Sequence, residues 1–165
     1  MVQPVDPTQA GLGDAELELL SRRLVAFLAT LNNDGSIHLV PIWYLFEDGR
    51  LFMATSSTTR KARNVQERPQ ATVTIETQAS WVSASGTAEI VRGERSRAIN
   101  ARLHDRYLTA AGSQALGSFF EESDDVTIAV TPESWRSWNG ASLMDAITQR
   151  GIAPADPDEW FLPLG

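Results

Sequence analysis

The chain has 165 residues, a formal charge of -7 and no cysteine. That length suits one domain, able to bury roughly 70% of its unfolded surface in a single core. The missing cysteines exclude disulfides, thiolate catalysis, zinc–thiolate sites and iron–sulfur clusters. With only His38 and His104 there is no histidine-rich metal site, so no metal is expected.

The acidic balance argues against nucleic-acid binding, which needs a concentrated basic face. No apolar run approaches the ~20 residues of a membrane span. Residues 1–14 have neither the basic start nor the apolar stretch of a signal peptide, so the expected location is the cytoplasm.

In chain order, Pro4, Pro7, Gly11 and Gly13 make residues 1–13 a flexible arm. Leucines at 17, 19, 20 and 24 predict a short amphipathic helix from Asp14 to Arg23, with acidic residues in its first turn. Val25 to Leu31 is an apolar strand, stopped by the turn Asn32-Asn33-Asp34-Gly35. Ser36 to Phe46 reads as one strand, and Glu47-Asp48-Gly49 turns the chain into another, Arg50 to Thr55. The three form an expected antiparallel meander.

Ser56 to Thr59 open a helix from Arg60 to Glu67, ended by Arg68-Pro69. Residues 71–76 alternate as a half-exposed strand, and Trp81 to Arg92 is a longer one with Gly86 as a bulge or close-approach point. Residues 94–121 read as helical. Asp125–Thr131 and Ser134–Trp138 return to strand on either side of Pro132. Residues 14–140 are therefore a single, mainly β (α+β) domain: a small antiparallel barrel of about six strands with peripheral helices, followed by a tail at 141–165.

Of the 14 basic residues, 13 are arginine and only Lys61 is lysine. That lysine stands in Thr58-Thr59-Arg60-Lys61-Ala62-Arg63-Asn64, at a helix N-terminus, where free backbone N–H groups and the helix dipole favour an anion. Cations there are electrostatically misplaced, and a bound phosphate would resolve the conflict. A solvated, charged helix capped by a threonine is the alternative. Acid–base groups are scarce: there is no nucleophile elbow and no His-Glu-x-x-His. His38 reads as a satisfied structural residue on a strand, and His104 as part of a solvated helix face. A bound cofactor would then have to carry any chemistry.

Several segments together resemble the pyridoxamine 5'-phosphate oxidase-like proteins, the flavin and deazaflavin oxidoreductases of the split β-barrel fold. They are Leu51-Phe52-Met53-Ala54-Thr55, Thr59-Arg60-Lys61-Ala62, Pro69 to Val73, Trp81 to Glu89, and Thr131 to Gly140. The resemblance implies a homodimer with cofactor at the subunit interface. It assigns the cofactor phosphate to Thr59, Arg60 and Lys61, with Arg63 within reach. It lays the ring along Val40, Pro41, Ile42 and Trp43, with Ala54 and Thr55 beneath the ribityl chain. Trp81 takes a ring-contacting position, and Trp138 reaches the cofactor from the second subunit.

The substrate-holding Arg-Leu-His-Asp-Arg of true pyridoxamine phosphate oxidases is missing after Trp138. The same letters at Arg102–Arg106 fall in a predicted helix and are read as coincidence, so vitamin B6 oxidation is not expected. Lys61-Ala62-Arg63-Asn64-Val65 resembles the actinobacterial deazaflavin branch, so coenzyme F-420 is preferred over FMN. The implied function is hydride transfer between that cofactor and a small organic substrate. The rivals are a noncatalytic flavin, haem or tetrapyrrole carrier and a plain interaction domain.

Overall fold

The structure, a computed structural model, describes residues 3–77 and 79–152. Its elements are α1 (Asp14–Ser21), β1 (Val25–Leu31), β2 (Ile37–Trp43), β3 (Leu45–Glu47), β4 (Arg50–Ser56), α2 (Arg60–Glu67), β5 (Gln70–Thr77), β6 (Ser80–Val91), α3 (Gly93–Tyr107), α4 (Ala110–Glu122), β7 (Asp125–Asn139) and α5 (Gly140–Gln149). All strand pairs are antiparallel, in the order β2-β1-β5-β6-β7-β4-β3. The sheet curls into an open half-barrel with helices around it, which is a split β-barrel. No helix among the described residues is long and apolar enough to cross a membrane.

The expected strand from Ser36 to Phe46 breaks at Tyr44, and the break undoes the expected meander. β2 pairs only with β1, whereas β3 pairs with β4 at the other end of the sheet. Tyr44 causes this. Its ring is fully buried, and its hydroxyl donates towards the last carbonyls of α1, closest to Arg22 at 2.8 Å. The chain thus crosses the mouth of the half-barrel through one inward-turned side chain. Burial raises the Tyr44 pKa to about 12.

The two strands expected on either side of Pro132 are one continuous strand, β7. Pro132 is tolerated because it lies at a bulge, opposite Gly86, where the register shifts. A Cβ on Gly86 would sit 2.1 Å from the carbonyl oxygen of Thr131, so only glycine permits that approach. The carbonyl of Pro132 accepts from the Val5 amide, and the Trp135 indole donates to the Val5 carbonyl.

The main core fills the inside of the curl with Leu20, Leu28, Met53, Val73, Ile75, Val82 and Ile128, all fully buried. A second cluster lies beneath α3, where Ile99 and Leu103 pack on Phe52 and Ala129. The helical stretch between β6 and β7 is thereby split into α3, which covers the outer side of β4 and β7, and a less buried α4. Part of the tail, 140–149, is helical as α5.

Candidate functional site

α3 is fastened to the sheet at two points. At its start, the Ser96 hydroxyl lies 2.9 Å from that of Thr127, which also donates to Asn100 Oδ1 at 2.7 Å. At its end, Tyr107 stacks on Trp43 with centroids 4.9 Å apart and planes 3° from parallel, and its hydroxyl donates to the Leu24 carbonyl at 2.5 Å. Arg106 reaches back to the carbonyls of Ser21 and Arg22, capping the negative end of α1. Arg102 pairs with Glu47 at 2.7 Å. The Arg102–Arg106 segment is thus helical, and its arginines serve packing.

Between α3, α4 and the ends of β2 and β4 lies a cavity of about 540 Å³. Pro41, Ile42 and Trp43 form one side, Ala54, Thr55 and Ser56 the floor, and Leu103, His104 and Phe120 the opposite wall, with Val25 and Asp125 at its edges. Its size lies within the roughly 300–1,000 Å³ of small-molecule sites. Five of the sequence-derived ring and ribityl positions (Pro41, Ile42, Trp43, Ala54, Thr55) line it. Val40 packs instead against the main core.

Of the phosphate positions, Thr59 adjoins this floor. Thr55 Oγ1 lies 3.1 Å from Oγ1 of Thr59, the residue at which α2 begins. Because the Thr59 hydroxyl turns back to the Ser56 carbonyl, it makes no cap bond, and the first amides of α2 find no side-chain acceptor among the described residues. The Lys61 ammonium is half-buried there, and burial lowers its pKa. Neither Arg60, Lys61 nor Arg63 forms an ion pair among the described residues. Half-buried positive charge without a counter-charge among the described residues, in the first turn of a helix whose amides are free, is the electrostatic shape of an anion site.

Other positions lie apart. Arg63 lines a separate polar pocket of about 400 Å³, shared with Arg60, Asn32 and Asp34. Trp81 and Trp138 are cross-strand neighbours on β6 and β7 and do not line the 540 Å³ cavity. Among the described residues no group of three His, Asp or Glu side chains could hold a metal.

The ring of His38 makes no hydrogen bond to another described residue and stays partly open to solvent. Partial burial and then the charges of Arg60 and Lys61 lower its pKa. His104 is not on a solvated face: it stacks on Phe120 at 3.8 Å, with planes 21° apart, and looks into the cavity. The helical stripe 96, 100, 103, 107 was the available signal, since residue 104 borders it. Asp125 and Phe120 carried no sequence signal at all.

The profile of the pyridoxamine 5'-phosphate oxidase family matches residues 12–139. Among solved structures, conserved hypothetical protein Rv2991 from Mycobacterium tuberculosis superposes with TM-score 0.69 at 23% identity, covering 87% of this chain and 91% of its own. An F420 reductase does so with TM-score 0.61 at 24% identity, over 76% and 98%. The haem storage protein HutZ from Vibrio cholerae does so with TM-score 0.62 at 19% identity, over 76% and 93%. At these identities the likeness is one of fold. No curated protein sequence matches the chain.

Proposed function

The chain belongs to the pyridoxamine 5'-phosphate oxidase family, and from that membership we propose that it is a homodimeric oxidoreductase using coenzyme F-420 or FMN. F-420 is the preferred ligand. The observation that carries the reading is Lys61, a half-buried cation without a counter-charge among the described residues, in the first turn of α2, whose N-cap Thr59 touches Thr55 on the floor of a ligand-sized cavity. Phosphate would take the α2 amides with Arg60 and Lys61. The flat ring would rest against Pro41 to Trp43, over Ala54 and Thr55. When bound, the cofactor supplies the hydride; the chain binds it, orients it and keeps water from it. Arg63, in its own polar pocket, would meet the acidic tail of F-420.

The dimer rests on one face of the sheet. Phe27, Pro41, Leu39 and Ile37 stand side by side on β1 and β2, with Leu39 59% and Ile37 70% exposed. Contiguous exposed apolar surface of this kind marks an interface. Val25 and Trp43 belong both to this face and to the cavity, so a second copy seated there would close the site. Trp138, 42% exposed, would reach the partner's cofactor. After Trp138 the chain has no arginine before Arg150, so pyridoxamine phosphate is not the proposed substrate.

Native mass spectrometry of the protein as purified tests both parts. A dimer carrying two F-420 or FMN molecules is expected, and a bare monomer that also refuses added cofactor would refute them. Reduction of any acceptor by the loaded protein would then separate an enzyme from a carrier.

A further inference from the structure

A second cavity, of about 450 Å³, lies between α3, the end of α4 and the start of β7. Arg92, Arg97 and Asn100 line it, and His104, Phe120 and Asp125 are common to both cavities. The stacked His104–Phe120 pair is therefore a partition, with one imidazole open to two chambers. Neither ring nitrogen of His104 has a hydrogen-bond partner among the described residues. Those nitrogens are not among the fully buried unpartnered atoms, so they stay open to water or a ligand.

Its placement is also firm. Asn100, four residues earlier, is tied to Thr127, and Tyr107, three residues later, is clamped between Trp43 and the Leu24 carbonyl. Such rigid support on both sides suits a group whose direction matters.

We propose that His104 is the proton donor of the cavity, facing the acceptor on one side and refilling from solvent through the polar chamber on the other. This rests on the cofactor reading above. Hydride addition to one atom of a polarised double bond breaks the π bond and leaves an electron pair on the other atom. The hydride comes from the reduced deazaflavin or flavin. The imidazolium N–H bond breaks, and its proton joins that second atom, leaving neutral imidazole. Water in the second chamber then returns a proton. The acceptor class is a small molecule with a polarised C=C, C=N or C=O bond.

The groups facing the ring define its charge balance. Burial lowers the His104 pKa, and the carboxylates of Asp125 on β7 and Asp105 on α3 oppose that. Arg92, Arg97 and Asp124 lie further along the second chamber, while Trp43, Phe120 and Leu103 bring no charge. Burial is the larger effect, so the ring gives up its proton more readily than an ordinary histidine.

With only two histidines, the imidazole 1H–15N spectrum has two spin systems, and His38→Gln assigns them. Each ring is titrated between about pH 5 and 8 in the free protein and with saturating FMN or F-420. The His104 resonances and titration midpoint should change on cofactor binding. His104→Gln should bind cofactor within about threefold of wild type, since it removes no phosphate contact, yet lose the fall of kcat that wild type shows as pH rises through the His104 pKa. A His104 ring indifferent to saturating cofactor would overturn the proposal while leaving the cofactor reading intact. So would an unchanged pH profile in His104→Gln. Wild type that binds neither cofactor would bring down the cofactor reading, and this proposal with it.

Discussion

Replacing Lys61 by alanine probes the anion site directly. A charge-assisted hydrogen bond contributes about 1.5–3 kcal/mol, so its loss should weaken cofactor binding roughly 10- to 150-fold. The half-buried setting of Lys61 puts the effect towards the middle of that range, because solvent screens part of the charge. Binding should not vanish, since the α2 amides and Arg60 remain. The free protein should lose almost nothing, within about 0.5 kcal/mol, because burial already disfavours this ammonium and no carboxylate offsets it. Arg60→Ala should behave similarly, and the double variant should lose less than the sum, as both serve one anion. Arg63→Ala should matter little for FMN, because Arg63 lies beyond the first free amides of α2, and comparably to Lys61→Ala for F-420. Fluorescence titration with both cofactors, alongside urea denaturation of the free proteins, reads all of these. Wild-type affinity of Lys61→Ala for both ligands would refute the reasoning and leave only a charged helix.

Leu39→Asp should leave the fold almost untouched, because Leu39 is exposed in the single chain, yet place a carboxylate in the proposed dimer contact; sedimentation should show monomer, and a persistent dimer would move the interface elsewhere. Tyr44→Phe removes the hydroxyl that reaches the end of α1 and should cost about 1–2 kcal/mol in denaturation at neutral pH. The same residue sets an alkaline limit: its folded pKa of about 12 lies above the ordinary 10, so its contribution is complete below pH 10 and lost as pH rises towards 12. Tyr44→Phe should flatten that decline. His104 has a folded pKa below its ordinary value, so the unfolded chain binds its proton more readily and stability should rise with pH through about 6.5; urea midpoints at several pH values should show a smaller rise in His104→Gln.

The barrel was legible where one face of a strand meets core and the other does not. Residues 71–76 alternate because Ala71, Val73 and Ile75 point inward and Thr72 and Thr74 do not. Gly86 was legible because a glycine inside a strand must allow some close approach, here to Thr131. The break at Tyr44 was written in a slip of phase, Tyr44 and Leu45 both being buried, but the apolar run through Phe46 hid it. Pro132 misled in the other direction, since a proline ends a strand unless a bulge on the partner receives it, and the partner lies some 46 residues away in sequence.

The cavity divides in the same way. Its β2 and β4 side lies in segments that carry the family resemblance, so Pro41 to Trp43 and Ala54 to Thr55 could be named from sequence. Its helical wall could not. α3 and α4 are inserted between β6 and β7, two strands that hydrogen-bond to each other directly, so the sheet closes whatever the insertion does. Where the helices rest is decided by long-range pairs: Ser96 and Asn100 with Thr127, Tyr107 with Trp43 and Leu24. Helical periodicity marks the buried stripe of α3 but not what lies opposite it, so a histidine at the stripe's border looks the same facing water or facing a cavity. The residues proposed to hold phosphate and ring are thus set by the barrel segments, whereas His104, proposed opposite the reacting face, is set by an insertion that the strand pairing does not require. Changes confined to α3 and α4 could therefore alter acceptor and proton supply while leaving cofactor binding and the sheet intact.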